Sequence, residues 1–222
     1  MKFYINLKRL MRARYIAPLQ IIILMLSVSL APIHAQTDPF RIVTTTTQAT
    51  DLIYILTDGV SDELVQITGL MGAGVDPHLY KPTVSDIEAM NQADMIIYSG
   101  LHLEGQFDAV FESVSERGVI IHRLSQPIID EGYVLKFDQD GISVDDPHFW
   151  FDPRNWMLTT QALADRLAEI DPDHADIYLA NAEAYIAQLD AFYTWGVEAM
   201  SQVPEELRYI VTSHDAFNYF GD

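Results

Sequence analysis

The sequence contains no cysteine. Disulfide cross-links are thereby excluded, as are a thiolate zinc site and a lipid-modified cysteine at a processed N-terminus. Positive charge is also scarce, with 13 Lys and Arg against 32 Asp and Glu. Nucleic-acid phosphates and anionic membrane surfaces both repel such a chain, so neither is an expected partner. No apolar run reaches the ~20 residues that a membrane-spanning helix needs. The longest runs from Ile16 to Leu30, and Pro18 and Pro32 bracket it more tightly still.

What is present at the start reads as a sorting signal. Lys2, Lys8, Arg9, Arg12 and Arg14 precede every acid, the apolar run comes next, and Ile33-His34-Ala35 before Gln36 offers a small-residue cleavage point. That order indicates a secretory signal peptide over residues 1–35 rather than a single membrane anchor. Cleavage there leaves 187 residues, which keep 8 of the 13 basic residues and all 32 acidic ones, a net charge of −24 with His neutral. The expected product is soluble, exported and retained behind an outer membrane, hence periplasmic. Most of its acids belong to solvated surface and identify no ligand. Any metal site must be built from His, Asp and Glu.

Past the signal, apolar strands alternate with amphipathic helices. Strands are expected at Arg41–Thr45, Leu64–Ile67, Met95–Tyr98 and Val119–Ile121, and helices at Thr50–Leu56, Ser85–Ala93 and Gln106–Val114. Val84, Ile87 and Met90 mark one side of the second helix. This alternation implies a mostly parallel sheet with helices on both faces. Asp138–Asp146 reads as a polar loop around Gly141. A helix at Asn155–Ile170 is broken by Asp171-Pro172, and a second runs from about His174 to Val203. Some 30 residues at 1.5 Å each span ~45 Å, more than one small lobe requires. Pro204 ends this strut, and Tyr209–Ser213 reads as a new strand, which needs sheet partners to persist. The expected organisation is a signal peptide at 1–35, an N-terminal α/β lobe at 36–172, a linking helix at 173–203, and the start of a second lobe at 204–222. On the order of 70–100 further residues would complete that lobe.

Three histidines share a setting. His78 follows Asp76-Pro77, His148 follows Asp146-Pro147, and His214 follows Thr212-Ser213 and precedes Asp215. In open α/β sheets the binding crevice lies beyond the carboxyl ends of the strands, and His78 and His214 are placed at such ends. Neutral imidazole is a good zinc donor at about 2.0–2.1 Å. Proline before two of the rings restricts the local backbone, and Asp76, Asp146 or Asp215 could orient an imidazole through its other nitrogen. Asp-Pro-His by itself is equally a turn, with the aspartate serving an Asx-turn or a helix cap. Phe149, Trp150, Phe151 and Trp156 read as core.

Four motifs appear in order: Gly74-Val75-Asp76-Pro77-His78-Leu79-Tyr80 with Pro82-Thr83 and Asp86; Gly100-Leu101-His102-Leu103-Glu104-Gly105; Asp146-Pro147-His148-Phe149-Trp150-Phe151-Asp152; and Ser213-His214-Asp215-Ala216-Phe217-Asn218-Tyr219-Phe220-Gly221. From about Arg41 to its end the chain resembles the zinc/manganese-type substrate-binding proteins of ABC metal importers. The resemblance implies two α/β lobes joined by one rigid helix, a divalent metal held between them, an inner-membrane permease as partner, and a monomer when complete. It implies His78 and His148 as ligands from the first lobe and His214 as the first from the second. A fourth ligand, a carboxylate, falls beyond Asp222 and is not named. His102 lies in a motif without being a family ligand, so a structural or supporting role is expected; His122 and His174 match nothing that coordinates. Manganese-type members often carry Glu at the position of His214, and three imidazoles with one carboxylate favour a borderline ion such as zinc. The Gly-Leu-His-Leu-Glu-Gly segment also resembles manganese-type members.

Three rivals stand beside that reading. A zinc hydrolase keeps three protein ligands and an open water position, but the sequence has no His-Glu-x-x-His segment and no obvious general base. Some relatives of the family are adhesins; nothing here supports surface contact. A metal buffer without a transporter would be expected to carry a His-rich loop, and Asp138–Asp146 contains no His.

Overall fold

The computed structural model describes residues 38–139 and 141–221, so the expected signal peptide lies outside the described residues. Four parallel strands form one sheet: β1 (Phe40–Thr44), β2 (Val65–Gly69), β3 (Met95–Tyr98) and β4 (Ile120–Arg123), in the order β2-β1-β3-β4. Alternation along each strand sends side chains to opposite faces. Ile42, Met95 and Ile97 enter one apolar cluster, and Val43 and Ile96 enter the other. The first cluster is covered by α1 (Thr47–Leu56), α4 (Gln126–Asp130), α5 (Pro153–Ile170) and the near half of α6 (Ala175–Ser201). The second is covered by α2 (Val84–Gln92) and α3 (Asp108–Ser115). Central strand β3 has Met95, Ile96 and Ile97 wholly buried, as expected of a parallel strand covered on both faces.

Local chemistry sets the helix starts. Thr46 caps α1 by accepting from the Ala49 N–H. Thr83 and Asp86 form a reciprocal capping box on α2. Asp152 caps α5 directly before Pro153. A short 3₁₀ turn, Gly105–Phe107, precedes α3 where the sequence predicts one continuous helix. On α2 the apolar side is only partly used. Met90 is buried, whereas Val84 is 84 % exposed.

After β1 the chain turns to β2 on one side and then crosses to β3 on the other. The crevice between the carboxyl ends of β1 and β3 is therefore the natural ligand position of this sheet. Here Glu104 fills its floor: it is buried, and it accepts from the Thr45 hydroxyl at 2.7 Å and from the backbone N–H groups of Ser99 and Gly100 at 2.8 and 3.1 Å. Burial pushes this carboxyl up despite those donors. The loop that delivers it bends through three left-handed residues, Gly100, Leu101 and His102.

Two sequence expectations change. Asp138–Asp146 is mainly an antiparallel hairpin, β5 (Lys136–Gln139) and β6 (Ile142–Asp145), with Lys136 opposite Asp145. Tyr209–Ser213 forms no strand, because no partner strand lies beside it among the described residues; Tyr209 and Val211 stand exposed. His214 therefore follows an irregular segment and not a strand end. The 27 residues of α6 span about 40 Å. Its first half belongs to the lobe's own core through Tyr178, Ala182, Tyr185 and Leu189, and its second half exposes Phe192, Trp195 and Val197. Among the described residues, no helix is long and apolar enough to cross a membrane.

Candidate metal centre

His148 is the best buried of the three imidazoles, 4 % exposed. Pro147 and a 3₁₀ turn at Phe149–Phe151 fix its backbone, and Phe149 is sunk wholly into the core beside it. Asp146, also buried, accepts through one oxygen from both the backbone N–H of His148 at 3.0 Å and its Nδ1 at 2.7 Å. Burial raises the Asp146 carboxyl, but the His148 and Asn218 hydrogen bonds outweigh it and leave the group below its usual range. An ionised carboxylate only accepts, so Nδ1 must carry the proton. The lone pair of Nε2 is then free to face the cleft.

His78 reaches the same point from the loop between β2 and α2. Asp76 accepts the backbone N–H of His78 at 3.0 Å, an Asx-turn. Two residues on, the Tyr80 hydroxyl donates to Asp86 at 2.8 Å, and its ring stacks on Phe107, tying the loop to α2. Burial and then the neighbouring His148 push the His78 imidazole below its ordinary value, which favours the neutral, donating form. His214 arrives from the C-terminal segment and is itself exposed.

The Nε2 atoms of His78 and His148 are 3.2 Å apart, and those of His214 and His148 are 3.0 Å apart. The three donor nitrogens all lie within 4.8 Å of one another. Two nitrogens on a tetrahedral zinc at 2.0–2.1 Å are separated by about 3.3 Å, close to both spacings. The rings meet at 54–74° rather than stacking, so their edges, which carry the lone pairs, converge. This trio opens on a cleft of about 450 Å³ also lined by Thr46, Met71, Leu103, Trp150 and Phe217.

Of the three aspartates expected to orient an imidazole, only Asp146 touches a ring. Asp76 bonds the backbone, and Asp215 is exposed with no bond to His214 among the described residues. His102 is 88 % exposed on its side chain and lies 3.8 Å from Asp108, so it supports none of the three rings. His122 sits in β4 with a buried, unpartnered Nε2, and His174 contacts Asp171. Sequence reasoning overlooked Asn218 and Tyr219, which bond to Asp146 at 3.0 and 3.1 Å. The signal was their spacing, four and five residues past His214, one helical turn further on.

A parallel α/β lobe that turns three imidazole nitrogens onto one point has the donor set of a transition-metal binding protein. The family described as zinc-uptake complex component A, periplasmic (ZnuA), matches residues 42–222, and the chain belongs to it. It is 32% identical over 186 residues to the manganese-binding lipoprotein MntA of Bacillus subtilis, covering 82% of this chain and 57% of that protein. It is 31% identical over 182 residues to the iron-binding protein YfeA of Yersinia pestis, covering 81% of this chain and 55% of that one. The solved periplasmic zinc-binding protein TroA of Treponema pallidum superposes with a TM-score of 0.73 at 32% identity, over 82% of this chain and 63% of TroA. The chain spans little more than half the length of the curated relatives it matches. These relatives are binding proteins and not enzymes.

Proposed function

We propose that this protein captures a divalent transition metal in the periplasm and passes it to the permease of an ABC importer, with His78, His148 and His214 as ligands. Zinc is the favoured cargo and manganese the alternative. The observation that carries the reading is the convergence of three Nε2 atoms at 3.0–3.2 Å around His148. Three nitrogen donors select a borderline ion over one that prefers an all-oxygen shell. A fourth ligand, a carboxylate from chain beyond Asp222, would close the tetrahedron and suit carriage, whereas a catalytic zinc keeps an open position. Neither a hydrolase nor a free-standing buffer finds support in the geometry or the relatives. Residues 1–35 act as the export signal on this reading. The relatives named for manganese, iron and zinc carry similar chains, so the fold alone does not choose the ion.

Calorimetric titration of the metal-stripped, full-length protein with zinc and with manganese tests the proposal. The expected result is one site per molecule and tighter zinc binding, with zinc uptake lost in His148→Ala. Undiminished zinc binding by that variant would remove the assigned site; tighter manganese would reverse the choice of cargo.

A further inference from the structure

Asp146 does more than orient His148. Its second carboxylate oxygen accepts from Asn218 Nδ2 at 3.0 Å, and its backbone carbonyl accepts from the Tyr219 hydroxyl at 3.1 Å. The same hydroxyl accepts from the Leu135 N–H at 2.9 Å. Leu135 and Asp146 are the pair next below the β5–β6 hairpin, joined by an Asp146 N–H to Leu135 carbonyl bond of 2.8 Å. A hydrogen-bonded antiparallel pair exchanges two such bonds. Here the Tyr219 hydroxyl stands where the second would form, bridging Leu135 N–H to Asp146 C=O. Tyr219 is 4 % exposed, so it is inserted into the neck of the hairpin and not laid across it.

Asn218 and Tyr219 open the short helix α7 (Asn218–Gly221), which begins four residues after His214. The stretch before His214 is irregular and exposed, and Val211 is 97 % exposed. Position is therefore given to His214 from its C-terminal side, by α7, by buried Ala216 and by the ring contact of Phe217 with Phe151 at 4.6 Å. We infer that Asn218 and Tyr219 are positioning residues that latch the His214-bearing segment to Asp146, so that one residue, through its carboxylate and its backbone carbonyl, fixes both the orientation of His148 and the place of His214. This rests on the reading that the three histidines take the metal. A donor held in place before the ion arrives loses less freedom on binding. Unlatching withdraws one nitrogen of three, so the latch acts chiefly on how fast the metal leaves.

The test uses full-length protein carrying Asn218→Ala, Tyr219→Phe, His214→Ala, and each of the first two combined with the third. Zinc affinity is read by competition with a chromophoric chelator, zinc release by chelator chase, and site geometry by the visible spectrum of the cobalt form. Each latch variant is expected to bind zinc roughly tenfold more weakly, mainly through faster release, with an altered cobalt spectrum. In the His214→Ala background the same changes are expected to shift affinity by less than about twofold, because variants acting through one group lose their separate effects. Should Tyr219→Phe fail to fold, Asn218→Ala carries the comparison. A tenfold loss that persists without His214 would mean that these residues act through His148 alone, and the latch would be refuted. Single variants that release zinc at the wild-type rate would refute it equally. A wild type that takes up neither zinc nor manganese would remove the metal reading itself, and the latch with it.

Discussion

Replacing Asp146 by asparagine changes one charge and almost no volume, and the hydrogen-bond geometry defines the consequence for the site. In the native protein one carboxylate oxygen accepts twice from His148 and the other accepts from Asn218. An asparagine has one acceptor oxygen and one donor amide. If its oxygen faces His148, its amide meets that of Asn218 donor against donor, and the Asn218 amide must turn over to accept from it, leaving a neutral oxygen in place of a carboxylate on Nδ1. If it is turned over, its amide faces the backbone N–H and Nδ1 of His148. The imidazole must then move its proton to Nε2, which puts a hydrogen where the proposed metal would bind. The first arrangement keeps the tautomer but orients the ring through a weaker, uncharged bond, and the second loses the tautomer as well. The backbone bonds of the hairpin neck, Asp146 N–H to Leu135 and Tyr219 hydroxyl to Asp146 C=O, use no side-chain atom of residue 146, so the fold is expected to survive.

Changes to groups that orient a metal-bound histidine cost about 10–100-fold in affinity, or about 1.4–2.7 kcal/mol. The carboxylate is buried, so little solvent screening softens that figure here. Competitive titration against a zinc chelator near neutral pH measures it, with the metal-free melting temperature recorded in parallel. Zinc affinity within about twofold of wild type, in a variant that remains folded, would refute the claim that the Asp146 carboxylate strengthens His148 as a donor.

Two further outcomes concern sites away from the metal. Burial, and then the nearby Arg166, push His122 down to about 4 in the folded protein, against about 6.5 when unfolded. The unfolded chain then binds the extra proton between those values, so this stability is full above about pH 6.5 and is lost as pH falls through about 4. At most about 3 kcal/mol is involved, and a His122→Phe variant should lose correspondingly less between pH 7 and pH 4.5 in urea unfolding; an equal loss would clear His122 of the effect. Gly100 has φ of +89°, and a Cβ there would lie 2.5 Å from the Ser125 hydroxyl and 2.7 Å from Arg123 Cγ. Gly100→Ala should therefore destabilise the lobe by about 2 kcal/mol or more, and an unchanged denaturation midpoint would show that the loop yields without strain.

The sheet was legible because its strands are short apolar blocks separated by helix-period stretches, and all four occur within a residue or two of their expected places. What the chain alone obscured depends on partners distant in sequence. Tyr209–Ser213 has the composition of a strand, but a strand is made by its neighbours, and none stands beside it among the described residues. The hairpin was hidden by its charge: Asp138, Asp140, Asp145 and Asp146 made the stretch read as loop, although Asp140-Gly141 is a strong two-residue hairpin signal. The three histidines were visible as residues and as motif members. Which aspartate reaches a ring was not, since Asp76 and Asp146 occupy the same Asp-Pro-His setting. They differ in burial: Asp146 is enclosed, and Asp76 is at the surface.

That difference explains how loops can present a site as closely spaced as this one. None of the three donors sits on a strand or a long helix, so each depends on an anchor a few residues away. His78 has Tyr80, held against α2 and Phe107. His148 has Phe149 in the core and Asp146 in the hairpin neck. His214 has Tyr219 in that same neck. The hairpin that the sequence concealed therefore joins the anchors of His148 and His214, and residues 78 to 214 meet within 4.8 Å because their anchors are fixed. On the proposed function, fixed anchors with soft intervening loops would place the donors before the ion arrives, and the exposed imidazole of His214 would be the easiest to withdraw when the ion is given up.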